Sequence, residues 1–486
     1  MSHAPQAIGP QSLEQLNACV ARDLDYLTLP AKRWLPDVEM DGEVIPDVVV
    51  IGGGMAGLTV SAALMQQGVN VVAYDARPKG FEGPWVTTAR METLRSPKTL
   101  TGPALGVPSL TFRAWFTAQF GEEAWEKVDK IPRTQWMNYL RWYREVLGLD
   151  IRNDHRITDI IPHPVHVELH IDAPEGPQVV RARKVVLATG RDGLGGPSLP
   201  ALVADLPREV WAHSSDSNDY AALKGKRVAV IGAGASAMDS AGTALENGAA
   251  QVDLLIRRAD IPRVNRGMAM GNPGSVYGMR DLSDEWKWTL QTALTDAQVP
   301  PPRASVLRVS RHENSAFHLG TALKSAHMDG DQVVLETSKG PRRYDFVIFA
   351  TGFKVDWANK PFLSRLASQT RTWAERINPE DGARYTGLLE LPDLGPAFEF
   401  QPKPAFEGQG VQNVLCFCYP AVMSQGNISG DIPAISEGAR RLARGVIGGL
   451  WVQDIDYHYR RMMEHDTPEV FGDEWTPATD EQEAPV

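Results

Sequence analysis

Two glycine turns of the same design, 180 residues apart, constrain the fold of this chain more than any other feature. They lie in Val48–Gly57 and in Arg227–Ala237. Each turn follows an apolar run typical of a buried strand and precedes a helical pattern, as in the βαβ unit of a dinucleotide-binding domain. The sequence therefore predicts an α/β fold with two Rossmann-like dinucleotide-binding domains.

The first turn has the pattern GxGxxG. Gly52 allows the tight bend, Gly54 lets the backbone approach a pyrophosphate, and Gly57 permits close packing of the helix on the strand. Amides at the helix start then face the anion. Asp75 comes 23 positions after Gly52, at the end of the next strand, where a carboxylate accepts hydrogen bonds from a ribose diol. This ordered series favours an FAD site over an ordinary glycine turn.

The second turn has the pattern GxGxxA, formed by Gly232, Gly234 and Ala237. Its following strand ends in Arg257-Arg258 rather than in an acid. Arginine at this point holds a 2′-phosphate through charge-assisted hydrogen bonds, whereas a carboxylate repels it. The sequence therefore predicts NADPH rather than NADH as the second nucleotide. The alternative is that the arginine pair is only a solvated basic edge.

Composition narrows the class of protein. With 43% hydrophobic and 22% charged residues, the 486-residue chain is expected to be globular, and its net charge of −11 disfavours nucleic-acid binding. Three cysteines do not form a disulfide framework, and no secretory signal or membrane span is recognised. We therefore expect a cytoplasmic protein that acts on a small molecule; whether it forms a homo-oligomer stays open.

A resemblance to a known family, carried by the two turns and by two Ala-Thr-Gly segments, implies that the NADPH-binding domain is inserted into a split FAD-binding domain, and the order of strand and helix patterns fits this organisation. The predicted segments are an N-terminal extension (1–45), the first part of the FAD domain (46–190), the NADPH domain (191–344), the second part of the FAD domain (345–450) and a C-terminal tail (451–486). Residues 81–125 are expected to form an irregular, pocket-lining loop, because they are rich in Trp, Pro, Gly and Thr.

Together with the two turns, two Ala-Thr-Gly segments, Ala188–Gly190 and Ala350–Gly352, resemble the flavin-containing monooxygenase superfamily, which includes N-hydroxylating and Baeyer–Villiger enzymes. In that family such segments are crossovers between the FAD and NADPH domains, so the resemblance implies cofactor contacts for Thr351 and Gly352. Phe81-Glu-Gly-Pro-Trp85 is similar to the family's segment beside the flavin, which implies a flavin contact for Trp85.

Two further segments take their expected roles from the same resemblance. His213 matches the histidine of the family's linker signature, although Pro207, Glu209 and Ser217 stand where that signature has other residue types. The resemblance implies a position at the hinge between the domains, and a purely structural histidine is the alternative. Ser424–Ile435 is similar to the segment that closes over the isoalloxazine, which implies flavin contacts for Asn427 and Ile428.

The resemblance also implies the reaction. NADPH reduces FAD, O₂ adds to give a C4a-(hydro)peroxyflavin, and an oxygen atom passes to the substrate. Among oxygenation reactions, the resemblance favours N- or S-oxygenation of a small molecule, and Baeyer–Villiger oxidation is the alternative. Lys98 and Arg95 are candidates for stabilising the peroxide, with substrate carboxylate binding as another role for Lys98, and His213 completes the catalytic candidates. A surface cation without a function is the other interpretation of both Lys98 and Arg95.

Two classes without oxygenation also share these domains. A flavin disulfide reductase needs a cysteine pair spaced CxxC or CxxxxC, so that one thiolate attacks and the other resolves the product. Here Cys416 and Cys418 form a CxC on a predicted strand, where a disulfide would be strained. A non-oxygenating NADPH–flavin oxidoreductase is the remaining alternative.

Overall fold

The computed structural model describes residues 9–477. The helices are α1 (Leu13–Tyr26), α2 (Met55–Met65), α3 (Phe112–Lys127), α4 (Arg133–Val146), α5 (Ala235–Glu246), α6 (Pro273–Gly278), α7 (Asp284–Ala297), α8 (Arg303–Ser310), α9 (Ser364–Gln369), α10 (Thr386–Leu389), α11 (Val422–Gln425), α12 (Ile435–Gln453) and α13 (Ile455–Met463). The strands are β1 (Glu39–Met40), β2 (Glu43–Val44), β3 (Val48–Ile51), β4 (Val71–Tyr74), β5 (Ile151–Arg152), β6 (Arg156–Pro162), β7 (Val167–Ala173), β8 (Gly176–Ala182), β9 (Lys184–Leu187), β10 (Gly195–Pro197), β11 (Trp211–His213), β12 (Arg227–Ile231), β13 (Gln251–Leu255), β14 (Ser315–His318), β15 (Leu323–Asp329), β16 (Gln332–Thr337), β17 (Gly340–Tyr344), β18 (Phe346–Phe349), β19 (Phe353–Val355) and β20 (Val414–Cys416).

One parallel sheet, which we call the first sheet, has the strand order β20-β9-β3-β4-β5. Its central strand β3 is buried at every residue, which explains the continuous apolar run in the sequence. The outer strand β20 comes from the chain more than 200 residues after β9. This sheet is therefore assembled from two separate stretches of the chain.

The second parallel sheet has the order β11-β18-β12-β13-β14, with α5 following the second glycine turn. The predicted α/β fold, with one Rossmann-like unit inserted into the other, is confirmed. Because Phe346–Phe349 pairs inside the second sheet, we propose that the inserted unit ends after Phe349 rather than before Asp345. The other predicted domain boundaries stay a prediction.

Two small connections link the sheets. Gly195–Pro197 pairs antiparallel with Phe353–Val355, so the outgoing and the returning crossovers run side by side. Each parallel sheet is accompanied by a three-stranded antiparallel sheet, β6-β7-β8 and β15-β16-β17 respectively. The crossovers end at the carboxyl edges of the parallel strands, which is where dinucleotides bind in such folds.

The expectation of an irregular loop over residues 81–125 is wrong in its last part. Thr111 caps α3, and Phe112, Trp115 and Phe116 recur at helical spacing and are buried against Trp136 and its neighbours. This aromatic packing stabilises a helix that the local composition does not favour. The predicted C-terminal tail likewise contains α13.

Within residues 9–477, no helix combines the length and the apolar character needed to cross a bilayer. In the same range, no three His, Cys, Asp or Glu side chains are grouped so that they would hold a metal ion.

Candidate functional site

The first glycine turn has the close contacts that its pattern predicts. Gly52 has φ +110°, and a Cβ there would lie 2.5 Å from the Ala188 carbonyl oxygen. A Cβ on Gly57 would lie 1.8 Å from the Gly52 carbonyl oxygen, so helix α2 contacts the turn directly. Gly54 differs, because a Cβ would meet nothing closer than Gly83 at 3.7 Å. The turn therefore leaves room beside Gly54, as a pyrophosphate requires.

Asp75 lies beside this turn, at the end of β4. Its two carboxylate oxygens accept hydrogen bonds from the Gly53 and Arg77 amides, each at 2.7 Å. Burial raises the pKa of Asp75, although both amide hydrogen bonds act in the opposite direction. A carboxylate oxygen accepts more than one hydrogen bond, so a ribose diol fits this position in addition to the amides.

A cavity of about 280 Å³ opens next to Gly53 and Gly54. Some of the residues that line it are candidate cofactor contacts that the sequence analysis did not identify. Arg141 and Arg144 line it from helix α4, together with Glu82. Glu82 is buried; it accepts hydrogen bonds from the Gly80 amide and from Arg144, both at 2.8 Å. Two guanidiniums beside a glycine turn suit the two negative charges of a pyrophosphate, so these residues fit FAD.

The order of the strands predicts the direction in which FAD extends. Asp75 follows β4 and the glycine turn follows β3, so the adenosine side lies toward β4 and the flavin side toward β9 and β20. Arg191 comes shortly after β9 and Tyr419 shortly after β20. Asp431 and Arg95 lie near Arg191. We call Arg95, Arg191, Tyr419 and Asp431 the flavin-end cluster.

Charge is unevenly paired in the flavin-end cluster. The Arg191 guanidinium lies 4.9 Å from the centroid of the Tyr419 ring. Arg95 donates to the Pro300 carbonyl at 2.8 Å, and burial lowers the pKa of Arg95. Burial raises the pKa of Asp431, although Arg191 and Arg95 oppose that shift. All four residues of the cluster are exposed, so their side chains are accessible to a ligand.

Three of the predicted flavin contacts lie in two places, two of them beside the flavin-end cluster and one beside the first glycine turn. Asn427 donates to the Asp431 carboxylate at 3.1 Å, and Ile428 is buried beneath it. Trp85 is half-buried against Trp136, and its loop approaches Gly54 through Gly83. The structure therefore brings Asn427 to the cluster and Trp85 to the glycine turn. Their contacts with flavin stay predictions.

Lys98 does not join the flavin-end cluster. Its ammonium donates to the Trp125 carbonyl at 2.8 Å and lies 5.0 Å from the centroid of the Trp125 ring. Because the Trp125 carbonyl lies in the last turn of helix α3, the geometry favours a helix-capping role for Lys98. The interpretation of Lys98 as a cation without a catalytic function therefore has the better support.

His213 ends β11 and is buried. Its Nδ1 lies 2.7 Å from the Ser215 hydroxyl, and its ring contacts Phe353 edge to face. Burial lowers the pKa of His213, which favours the neutral ring. The residue lies beside the returning crossover, as a hinge histidine would, and away from the flavin-end cluster.

The second glycine turn repeats the geometry of the first. Gly232 has φ +140°, and a Cβ there would lie 2.5 Å from the Ala350 carbonyl oxygen. Ala237 is fully buried where helix α5 contacts the sheet, and Gly234 has open space beside it. This turn therefore also accommodates a pyrophosphate.

Arg257 and Arg258 follow the carboxyl end of β13 and are exposed. Arg258 donates weakly to the Asp296 carbonyl at 3.3 Å, which leaves Arg257 the freer of the two. In the returning crossover, the hydroxyl of Thr351 donates to the Ser198 carbonyl, and the Gly352 carbonyl accepts from the Ser198 amide at 2.9 Å. Gly352 has φ +83°, so both residues serve the crossover itself.

The CxC pair is unsuited to redox catalysis. Cys416 and Cys418 are free thiols with sulfurs 3.5 Å apart, and both are fully buried. Burial raises the pKa of Cys416 well above its usual value, which disfavours the reactive thiolate. This geometry weighs against the disulfide-reductase alternative.

Comparisons with known proteins extend these observations. A family model described as L-lysine 6-monooxygenase/L-ornithine 5-monooxygenase matches residues 120–267. The chain is 37% identical over 477 residues to the FAD-dependent urate hydroxylase of Xanthomonas campestris pv. campestris, a match that covers 96% of this chain and 99% of that protein.

Two solved structures share the fold at low identity. The ornithine N-hydroxylase of Kutzneria sp. 744, in complex with reduced FAD, NADP⁺ and L-ornithine, has a TM-score of 0.63 at 17% identity, over 83% of this chain and 99% of that one. The L-lysine 6-monooxygenase of Pseudomonas syringae has a TM-score of 0.64 at 17% identity, over 82% of this chain and 99% of that one.

Proposed function

Because the chain belongs to the flavin monooxygenase superfamily and its cofactors are FAD and NADPH, we propose that it is a cytoplasmic enzyme that uses O₂ to hydroxylate urate or a closely similar anionic heterocycle. The observation that carries the proposal is the likeness, along nearly the whole length of both chains, to an FAD-dependent urate hydroxylase. The flavin-end cluster gives it a chemical basis.

Arginines suit such a substrate. A guanidinium is planar, stacks on rings, and donates two parallel hydrogen bonds to an anion. Among the described residues, neither Arg95 nor Arg191 has a carboxylate oxygen within 4.0 Å. We infer that these two side chains bind the anionic edge of the substrate, while Tyr419 offers a ring to stack on.

The remaining roles follow from the geometry of the two turns. Gly54, Asp75 and Arg144 would hold FAD, and Gly234 and Arg257 would hold NADPH. When bound, the flavin supplies the activation of O₂ and the transfer of one oxygen atom. The overall reaction consumes substrate, O₂, NADPH and a proton, and it yields hydroxylated substrate, NADP⁺ and water. Partial desolvation raises the pKa of Asp431 above the ordinary aspartate value, so this carboxyl is our candidate for proton transfer beside the substrate.

The test compares substrates on the purified, FAD-loaded enzyme. We expect urate to accelerate NADPH oxidation and to disappear in a one-to-one ratio with NADPH and O₂, with little hydrogen peroxide formed. L-ornithine and L-lysine are tested in the same assay as alternative substrates. Peroxide formed in a one-to-one ratio with NADPH for every compound would contradict the proposal and would indicate a non-oxygenating oxidoreductase.

Variants locate the substrate contact. Loss of a charge-assisted hydrogen bond costs about 1.5–3 kcal/mol, so Arg191→Met should lower kcat/KM for urate about 10- to 150-fold. The rate of flavin reduction by NADPH should not change. Arg343→Met is the matched control, because Arg343 is exposed and pairs only with Asp329 on the antiparallel sheet.

N-hydroxylation of an amino-acid side chain is the second candidate. The lysine/ornithine monooxygenase model supports it, although its match ends before the flavin-end cluster is complete. Formation of a hydroxylamine from L-ornithine or L-lysine, without consumption of urate, would favour this candidate. Nothing in the described residues favours Baeyer–Villiger oxidation over either reaction.

A further inference from the structure

A second cavity, of about 210 Å³, lies at the outer edge of the first sheet, beyond β20. None of the four residues of the flavin-end cluster lines it. It is lined by residues from three separate stretches of the chain: Arg280, Asp281 and Lys287; Arg371, Arg376, Leu394, Gly395, Pro396 and Gln401; and Ser424 and Gln425. We call it the edge cavity.

Positive charge is in excess around the edge cavity. Arg371 and Arg376 both bind the fully buried Asp393, at 2.7 and 2.6 Å, and Arg376 also binds Asp284 at 2.6 Å. Arg280 contacts Asp281 at 3.1 Å. Three carboxylates are therefore already engaged by three guanidiniums.

Lys287 is the fourth cation, and the described part of the chain leaves it without an ion-pair partner within 4.0 Å. The residue is only 5% exposed, and its ammonium lies 6.0 Å from the centroid of the Trp373 ring. Burial and the nearby Arg376 lower the pKa of Lys287, while Asp284, Asp281 and Asp393 oppose them. The side chain of Lys287 is largely buried while its unpaired ammonium faces the cavity, where an anion would complete the environment of the charge.

We propose that the edge cavity binds a small organic anion whose acid group pairs with Lys287. Its volume exceeds what an inorganic ion needs, since a cavity of about 150 Å³ already holds benzene. Leu394 and Pro396 give an apolar wall for the body of such a molecule, and Arg280 lies on the cavity wall as a further cation. A dicarboxylate or an aromatic carboxylate meets these requirements.

The position of the edge cavity predicts what the anion does. Lys287 belongs to α7, in the segment between strands β13 and β14 of the second sheet, whereas Gln425 lies two residues before Asn427 and is held by Arg441 at 3.1 Å. Met279 packs against Gly426, next to Gln425. An anion would therefore join the segment carrying α7 to the segment that leads to the flavin-end cluster, and would stabilise both.

The experiment uses the FAD-loaded enzyme with malonate and with benzoate, at constant ionic strength maintained with chloride. Saturable thermal stabilisation by one of them, with quenching of tryptophan fluorescence at the same concentrations, is the expected result. Lys287→Met should weaken this binding at least tenfold, and Lys287→Arg should retain it. Lys324→Met, at an exposed lysine on β15, is the matched control and should bind as the wild type does.

Two results would overturn the proposal. One is that neither anion stabilises the wild-type enzyme beyond the effect of chloride. The other is equal stabilisation of wild type and Lys287→Met, which would place the anion elsewhere. Because flavin content and urate turnover are measured separately, failure here is distinguishable from failure of the proposed hydroxylation.

Discussion

The two glycine turns have the same contact at their first glycine and differ at the second and third positions of the pattern. In both, the carbonyl oxygen of an Ala-Thr-Gly segment, Ala188 or Ala350, lies 2.5 Å from where a Cβ on the first glycine would be. Each turn is therefore in contact with the start of a different crossover, the outgoing one at Ala188 and the returning one at Ala350. Only glycine fits there, because φ is positive at both positions.

The difference lies at the second and third positions. At the third position, the Gly52 carbonyl leaves no room for a side chain on Gly57, whereas the second turn has a methyl group there, that of Ala237. Gly83, two residues before Trp85, approaches Gly54, whereas nothing lies within 4 Å of a Cβ on Gly234. A covered turn suits a cofactor that stays bound, and an open turn suits one that leaves after each reduction. The comparison therefore supports our proposal that FAD binds at the first turn and NADPH at the second.

The largest effect is expected at the third positions. Gly57→Ala would place a methyl group 1.8 Å from the Gly52 carbonyl, so helix α2 cannot keep its place on the sheet. We expect insoluble or colourless protein. Ala237→Gly at the equivalent position should cost only about 2 kcal/mol, because it adds backbone freedom and removes one buried methyl group. Soluble yield, FAD content and melting temperature measure both variants; equal behaviour would refute the difference between the turns.

The second positions should separate the cofactors. Gly54→Val fills the room left for a pyrophosphate without a clash in the protein itself, so we expect a folded chain with less than about 0.1 FAD per chain. Gly234→Val should retain FAD and lose reduction by NADPH. Flavin absorbance after purification and the rate of anaerobic reduction by NADPH measure the two effects. A Gly54→Val protein with full flavin content would contradict the assignment of FAD to the first turn.

Much of this architecture was predictable because it depends on local patterns. The first glycine turn predicts a strand immediately before it and a helix immediately after it. The structure has them there, as strand Val48–Ile51 and a helix that begins at Met55. Glycines determine these bounds through backbone geometry alone. The acid at position 75 also lies where its spacing predicts, at the end of β4.

The rest depends on contacts between distant residues. Glu82 and Arg144 are 62 positions apart and meet only once α4 packs beside the turn. The sequence offers Lys98 as a basic residue that could stabilise the peroxide, yet its ammonium contacts the end of α3. Asp431 and Arg191 approach each other because β20 returns beside β9. No local spacing encodes such meetings.

The third prediction concerns the two arginines that follow the strand after the second turn. Arg257→Ala should lower kcat/KM for NADPH about 10- to 150-fold, since a charge-assisted hydrogen bond to the 2′-phosphate contributes about 1.5–3 kcal/mol. Values for NADH should barely change, because NADH has no group at that position. Arg258→Ala should have the smaller effect, since Arg258 also contacts the Asp296 carbonyl. Flavin reduction rates with both nucleotides decide this, and an equal loss with NADH would assign the arginines to the fold or to the pyrophosphate.

The smallest effect concerns the pH dependence of FAD binding at Asp75. Burial raises its folded-state pKa above 3.8, so its contribution to the stability of the apoprotein is fully present at low pH and is lost as pH rises through the folded pKa. FAD affinity should change in the opposite direction, because the ionised carboxylate accepts hydrogen bonds from the ribose diol and protonation turns one oxygen into a donor. Affinity should therefore fall as pH falls through the raised pKa, by about tenfold per pH unit at most. Asp75→Asn keeps one acceptor but has no charge to titrate, so it should bind FAD more weakly at neutral pH and show a flat profile. Flavin fluorescence titrations of both apoproteins between about pH 5 and pH 8 measure this. A wild-type profile as flat as that of the variant would show that the ribose is held by other groups, and the two turns would then differ in their glycines alone.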